Sequence, residues 1–356
     1  MKKIISVLLV AIMATAMLVG CGSNTYELSL VTDLGTIDDK SFNQGAWEGL
    51  VQYADENEIS YKYYQPQEGT TDAYIDTIEL AIEGGAKVVV CPGFLFETPI
   101  FNVQNEYPDV NFILLDGVPN DGNWDAGMPT YETASNVMSI QFKEDQSGYL
   151  AGYAAVKDGN TKLGFLGGMA VPAVVRFGYG YVQGANDAAA ELGIDVEIMY
   201  HYTGAFVASP EAQTMAASWY ENGTEVIFGC GGAVGNSVMA AAESAGTKVI
   251  GVDVDQSAES DTVMTSAMKL LSNSVYDGIV AYYAGTFPGG KTTIFSAENK
   301  GVGLPMETSK FETFSQADYD AILASLAAGE VSINDSVSDT TTADLALSNV
   351  TVSYVE

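Results

Sequence analysis

The chain has 356 residues, with 14 Lys and Arg against 46 Asp and Glu and a formal net charge of −32. A surface of that sign repels phosphate backbones and offers no basic stripe, which excludes nucleic acid as a partner, and it keeps an exposed protein soluble. A single histidine, His201, argues against histidine-based triads and zinc sites, so neither a metal nor another cofactor is expected.

In chain order, Met1-Lys2-Lys3 precedes a mostly apolar stretch over 4–19, the charged and apolar regions of a secretory signal. It is too short and wrongly flanked to span a membrane. The stretch ends in Leu18-Val19-Gly20-Cys21, which resembles the lipobox at which bacterial lipoproteins are cut and lipidated. The expectation is a signal peptide over 1–20, lipid on Cys21 and a leader over 21–26, which places the body on the extracytoplasmic face of the cell membrane. Each buried methylene of such a lipid contributes ~0.8 kcal/mol, and stable anchoring takes more than one acyl chain.

From residue 27 to about 310, short β-branched runs alternate with helical patterns, the sign of βαβ units and parallel sheets covered on both faces. The spacing predicts strands over 27–32, 61–64, 87–91, 111–115, 136–142, 162–167, 195–200, 225–228, 248–252 and 262–268. Helices are predicted over 41–57, over 72–83 with Asp72 as N-cap and Gly84-Gly85 as stop, and over 143–157, 272–285 and 316–329. Residues 345–355 read as a final strand. Cys91 and Cys230 each end a strand run and read as small core residues. The pattern runs twice, before and after about residue 140. The expected architecture is therefore α/β, with two doubly wound parallel-sheet lobes and a ligand cleft between them. One lobe comprises 27–138 plus about 258–298, and the other 139–257 plus about 299–356. Hinges are expected near 136–142 and 253–268. In open parallel sheets ligands bind beyond the carboxyl ends of the strands, so residues just past strand ends are the site candidates.

Past the first strand, Thr32-Asp33-Leu34-Gly35 runs through Asp38-Asp39-Lys40-Ser41-Phe42-Asn43 to Trp47-Glu48-Gly49. This string, with Leu115-Asp116-Gly117, Phe142-Lys143-Glu144-Asp145, Gly148-Tyr149-Leu150-Ala151-Gly152, Arg176-Phe177, Gly204-Ala205-Phe206, Gly251-Val252-Asp253-Val254-Asp255-Gln256 and Gly301-Val302-Gly303-Leu304, resembles the basic membrane protein family. The strings span nearly the whole chain beyond the leader. The resemblance implies a type I periplasmic-binding-protein fold and a substrate-binding lipoprotein of an ABC importer. Such a receptor takes a purine nucleoside between its lobes and hands it to a permease driven by a separate ATPase, and this one is expected to act as a monomer. The resemblance assigns Phe42 and Phe206 as the pair that stacks on the base.

A base edge needs donors and acceptors, which Asn43, Asp33 and Asp116 supply. Vicinal ribose hydroxyls suit a carboxylate beside a lysine, here Lys269 with Asp253 or, two residues on, Asp255. Gly231 and Gly232 would let backbone approach the ligand, and Arg176 would support the cleft from within one lobe. Two other classes compete with this reading. The Asp33 to Asp39 loop has the look of a calcium-holding nucleoside hydrolase loop, but Leu34 stands where a proline is expected and the second acidic pair lies one residue too far along. A surface sensor for a sugar or another small molecule is the other, and no enzymatic activity is expected. No glycine-lysine phosphate loop occurs, so the chain does not itself hydrolyse ATP.

Overall fold

The computed structural model describes residues 25–337 and 341–355. The expected signal peptide and Cys21 therefore lie outside the described residues. The elements run β1 Leu28–Val31, α1 Phe42–Glu56, β2 Tyr61–Tyr64, α2 Thr71–Glu83, β3 Val88–Pro92, α3 Glu97–Val103, β4 Asn111–Leu115 and β5 Val137–Phe142. They continue α4 Glu144–Lys157, β6 Lys162–Gly167, α5 Pro172–Leu192, β7 Val196–Tyr202, α6 Pro210–Glu221, β8 Val226–Cys230, α7 Val234–Ala245, β9 Lys248–Asp253 and β10 Val263–Lys269. Last come α8 Leu271–Tyr283, β11 Lys291–Phe295, β12 Val302–Gly303, α9 Gln316–Ala327 and β13 Val350–Tyr354.

The strands form two sheets, in the orders β11-β5-β4-β3-β1-β2 and β12-β10-β9-β8-β6-β7-β13. Every pairing is parallel except β12 against β10, as in Leu28 opposite Val88 and Leu163 opposite Val226. Because helices cover both faces, the central strands are buried along their whole length: β1, β3 and β8 bury every residue. In the first lobe α1 and α8 seat Ala46, Leu50, Val275 and Ile279 on Leu28, Val88 and Ile113, while Tyr74, Ile78 and Ile100 pack on the opposite face. In the second lobe α4 and α5 cover one face and α6 and α7 the other. Cys91 and Cys230 are free and buried, one in each sheet.

Three expectations are corrected. The 139 boundary falls inside β5, which belongs wholly to the first sheet, and 263–269, expected in the first lobe, is β10 of the second. An apolar strand can join either sheet, and here register with β9, from Val263 opposite Val249 to Met268 opposite Asp253, decides it. The hinges consequently lie just outside the expected ranges. The chain crosses between lobes at Phe142 to Glu144, at Lys269 to Leu271, and a third time between β11 and β12. Backbone bonds hold the crossings side by side: Lys143 N–H donates to the Phe295 carbonyl (2.8 Å) and Leu270 N–H to the Gly301 carbonyl (3.0 Å). Finally, the N-cap of α2 is Thr70, not Asp72; its hydroxyl accepts from Ala73 N–H (3.2 Å), which leaves Asp72 in the first turn, where it favours the helix dipole.

Candidate functional site

The carboxyl ends of both sheets face one cleft, enclosing about 640 Å³ of space including its open mouth. All nine predicted contact residues line it: Asp33, Phe42, Asn43 and Asp116 from the first lobe, and Phe206, Gly231, Gly232, Asp253 and Lys269 from the second. Asp253 and Asp255 are separated by the fold. Asp253 ends β9 inside the cleft, whereas the Asp255 carboxylate accepts from Thr308 Oγ1 (2.7 Å) and Ser257 N–H (3.0 Å) away from it.

Lys269 is the electrostatic centre, with a side chain only 2 % exposed. Its Nζ lies 2.6 Å from Asp116 Oδ2, 3.5 Å from Glu144 Oε1 and 3.6 Å from Asp253 Oδ1, and 4.6 Å from the centre of the Phe42 ring. Burial works to discharge it, but Asp116, Asp253 and Glu144 outweigh that and hold the ammonium above its ordinary range. Burial likewise opposes the charge on Glu144, yet Arg176, whose Nε donates to Glu144 Oε2 at 2.6 Å, and Lys269 keep that carboxyl low. Three carboxylates thus face two cations. The excess falls on Asp116 and Asp253, whose carboxyls are both raised by burial. Both residues also adopt left-handed backbone, with φ of 57° and 67°, an unusual conformation for non-glycine residues and one that turns their side chains from the strand tips into the cleft. Asp116 Oδ1 is buried with no hydrogen-bond partner.

Beside the lysine group, linked to it through Ser41, is an aspartate–amide cluster. Asn43 Nδ2 donates to Asp33 Oδ1 (2.8 Å) and Asp39 Oδ2 (3.0 Å), and its Oδ1 accepts from Asp33 N–H (3.3 Å). Asn43 therefore spends its amide on orienting two carboxylates, where sequence reasoning had it meeting the ligand directly. Asp116 stands with Lys269, 2.6 Å from its Nζ, and not with this group. Burial pushes Asp33 up to about 6, against bonds from Gly35 and Asn43 that favour its charge. Sequence reasoning missed Asp39. It accepts from the backbone N–H groups of Ser41 (2.9 Å), Asn43 (3.0 Å) and Gln44 (3.1 Å), so it caps α1 from two residues outside Ser41. An acidic residue just before a helix start was the available signal. With the cap supplied, the Ser41 hydroxyl is free to donate across the cleft to Asp253 Oδ2 (2.5 Å). Glu144 and the cleft-lining Phe177 were also missed as functional residues, though both sit inside the strings that carry the family resemblance.

Phe206 sits in the loop after β7, on a floor of glycines. A Cβ on Gly168 or Gly231 would fall 2.7 Å or 3.4 Å from the Phe206 ring, and Gly231 and Gly232 have φ of 143° and 54°. The Ala233 N–H donates to the Phe206 carbonyl (2.9 Å). The two glycines thus serve first to let the Phe206 loop lie against the strand tips.

The family model described as ABC transporter substrate-binding protein PnrA-like matches residues 27–336. The ABC transporter nucleoside-binding protein BmpA of Lactococcus lactis is 30% identical over 345 residues, covering 87% of this chain and 93% of that protein. Basic membrane protein D of Borreliella burgdorferi is 27% identical over 299 residues, 83% of each chain. Among solved structures, an ABC transporter solute-binding protein from Aeropyrum pernix superposes with a TM-score of 0.70 at 24% identity, over 86% of this chain and 87% of its own, a likeness of fold.

Proposed function

The chain belongs to the PnrA-like family of ABC transporter substrate-binding proteins, and we propose that its cargo is a purine nucleoside, held between the lobes and delivered to a membrane permease by a receptor lipidated at Cys21. The observation that carries this reading is the polarity of the cleft. One end gathers Lys269, Asp116 and Asp253, with the buried Asp116 Oδ1 lacking a partner, as vicinal hydroxyls require. Phe42 and Phe206 line it from opposite lobes and suit a flat aromatic base. Asp33 and Asp39, which also line the cleft, add acceptors for the edge of a base. The name of the Lactococcus relative says that that protein binds a nucleoside.

Binding without chemistry fits the acidic loop. The carboxylate oxygens of Asp39 are committed to four hydrogen bonds and Asp33 Oδ1 to two, which leaves Asp33 Oδ2 to meet a base edge and little of the pair to encircle calcium. Calorimetric titration with inosine, adenosine, uridine and ribose tests the reading. Heat with the purine nucleosides, lost in Phe206→Ala without a change in unfolding midpoint, is expected. Heat with ribose alone, or free base accumulating during incubation, would overturn it.

A further inference from the structure

Gln256, in the second lobe, is fully buried and stands outside the lining of the nucleoside cleft. Its side chain is fixed from its own lobe: Oε1 accepts from Val252 N–H (3.0 Å), and its backbone N–H donates to Ser266 Oγ (3.1 Å). Gly251 makes room for it, since a Cβ there would lie 2.5 Å from Gln256 Oε1. The remaining donor, Nε2, reaches across to the first lobe and donates to the Lys40 carbonyl at 2.6 Å. Lys40 is itself in left-handed backbone, φ 62°, between Asp39, which caps α1, and Ser41, which donates to Asp253. The loop that opens the nucleoside-binding helix is therefore presented to Gln256 by a conformation that is costly for a lysine.

We propose that Gln256 is a closure latch, a positioning residue that stabilises the closed lobes without touching the ligand. This inference rests on the reading of the cleft as a nucleoside site that opens and closes. Opening hands the Lys40 carbonyl and Gln256 Nε2 back to water, whereas closing pairs them in a dry interface. The bond therefore exists in one state only and shifts the equilibrium toward it. A ligand binding only the closed state gains apparent affinity in proportion to the closed fraction. Gln256→Glu isolates the effect, because it keeps an acceptor for Val252 N–H and sets a carboxylate oxygen against the Lys40 carbonyl. Gln256→Met, which removes both bonds with little change of volume, is the second variant should the buried charge prevent folding.

The test measures the spin-label distance between Gln67→Cys in the first lobe and Ala208→Cys in the second, both exposed cleft-side loop positions, in the detergent-solubilised full-length chain. Cys91 and Cys230 are buried and remain unlabelled. Without ligand, the latch predicts that a short-distance population in the parent shifts to longer distances in Gln256→Glu. Saturating inosine restores the short distance in both, with dissociation about tenfold faster in the variant. Identical ligand-free distributions in parent and variants would overturn the latch. If inosine closes neither protein, the nucleoside reading fails, while the ligand-free comparison still decides the role of Gln256.

Discussion

Asp33 shows how burial converts a carboxylate into a pH-dependent element of both stability and binding. Its folded-state value of about 6 stands above the 3.8 of the free side chain because desolvation exceeds the help from Gly35 and Asn43. The stabilisation that goes with its protonated form is complete below about 3.8 and is lost as pH rises through about 6, an effect of roughly 3 kcal/mol at ~1.4 kcal/mol per unit. Asp33→Asn removes that dependence, so its unfolding free energy from denaturant melts should fall less between pH 4 and 7 than that of the parent. Binding runs the other way. A base edge donating to Asp33 needs the carboxylate, so affinity for inosine should weaken as pH drops below about 6, and the Asn variant should bind weakly with a flatter profile. Equal pH slopes in parent and variant would remove Asp33 from both roles. The sequence marks Asp33 and Asp253 as strand-tip acids, yet their meaning depends on partners 10 and 212 residues away, Asn43 and Ser41. A spacing rule reaches the first of these and not the second.

At the scale of elements, the contact between α4 and α5 carries the second lobe. Gly148 and Gly152 on one helix and Gly180 and Gly184 on the other bring the two backbones together: a Cβ on Gly152 would enter the Tyr181 carbonyl, and one on Gly184 the Tyr149 carbonyl. Gly152→Ala tests which effect dominates. Helix propensity alone would favour alanine by about 1 kcal/mol. Backbone atoms cannot yield as a flexible side chain does, so the overlap outweighs it and a net loss of about 1–3 kcal/mol is expected in a denaturant melt. A stabilised Gly152→Ala would show that the helices can separate freely. The spacing of these glycines was open to reading in the sequence. What could not be read was the assignment of 263–269 to the second sheet, because an apolar strand carries no label for the sheet it joins, and its pairing with β9 is a contact of the folded chain.

For the molecule as a whole, two lobes, three crossings and the convergence of strand tips followed from the βαβ alternation, whereas the bonds that tie the closed lobes followed from none of it. Ser41 to Asp253, Gln256 to Lys40 and Lys269 to Asp116 all join residues of different lobes that lie far apart in sequence. A receptor of this kind has two separable properties, the cargo it closes on and the place where it does so. The first resides in the cleft. The second is proposed to rest with Cys21, outside the described residues, and with the short leader over 21–26. Among the described residues no helix is long and apolar enough to cross a membrane; the proposed acyl chains on Cys21 would supply retention there, at ~0.8 kcal/mol per buried methylene. Cys21→Ser separates the properties. The variant should move from the membrane pellet to the soluble fraction of cells and bind inosine with unchanged affinity in calorimetry. Uptake of labelled inosine by those cells should fall, because the tether no longer keeps the receptor at high effective concentration beside its permease. A variant that still pellets with membranes would place the anchor elsewhere, and one that leaves them without loss of uptake would show that the permease recruits the closed lobes from solution.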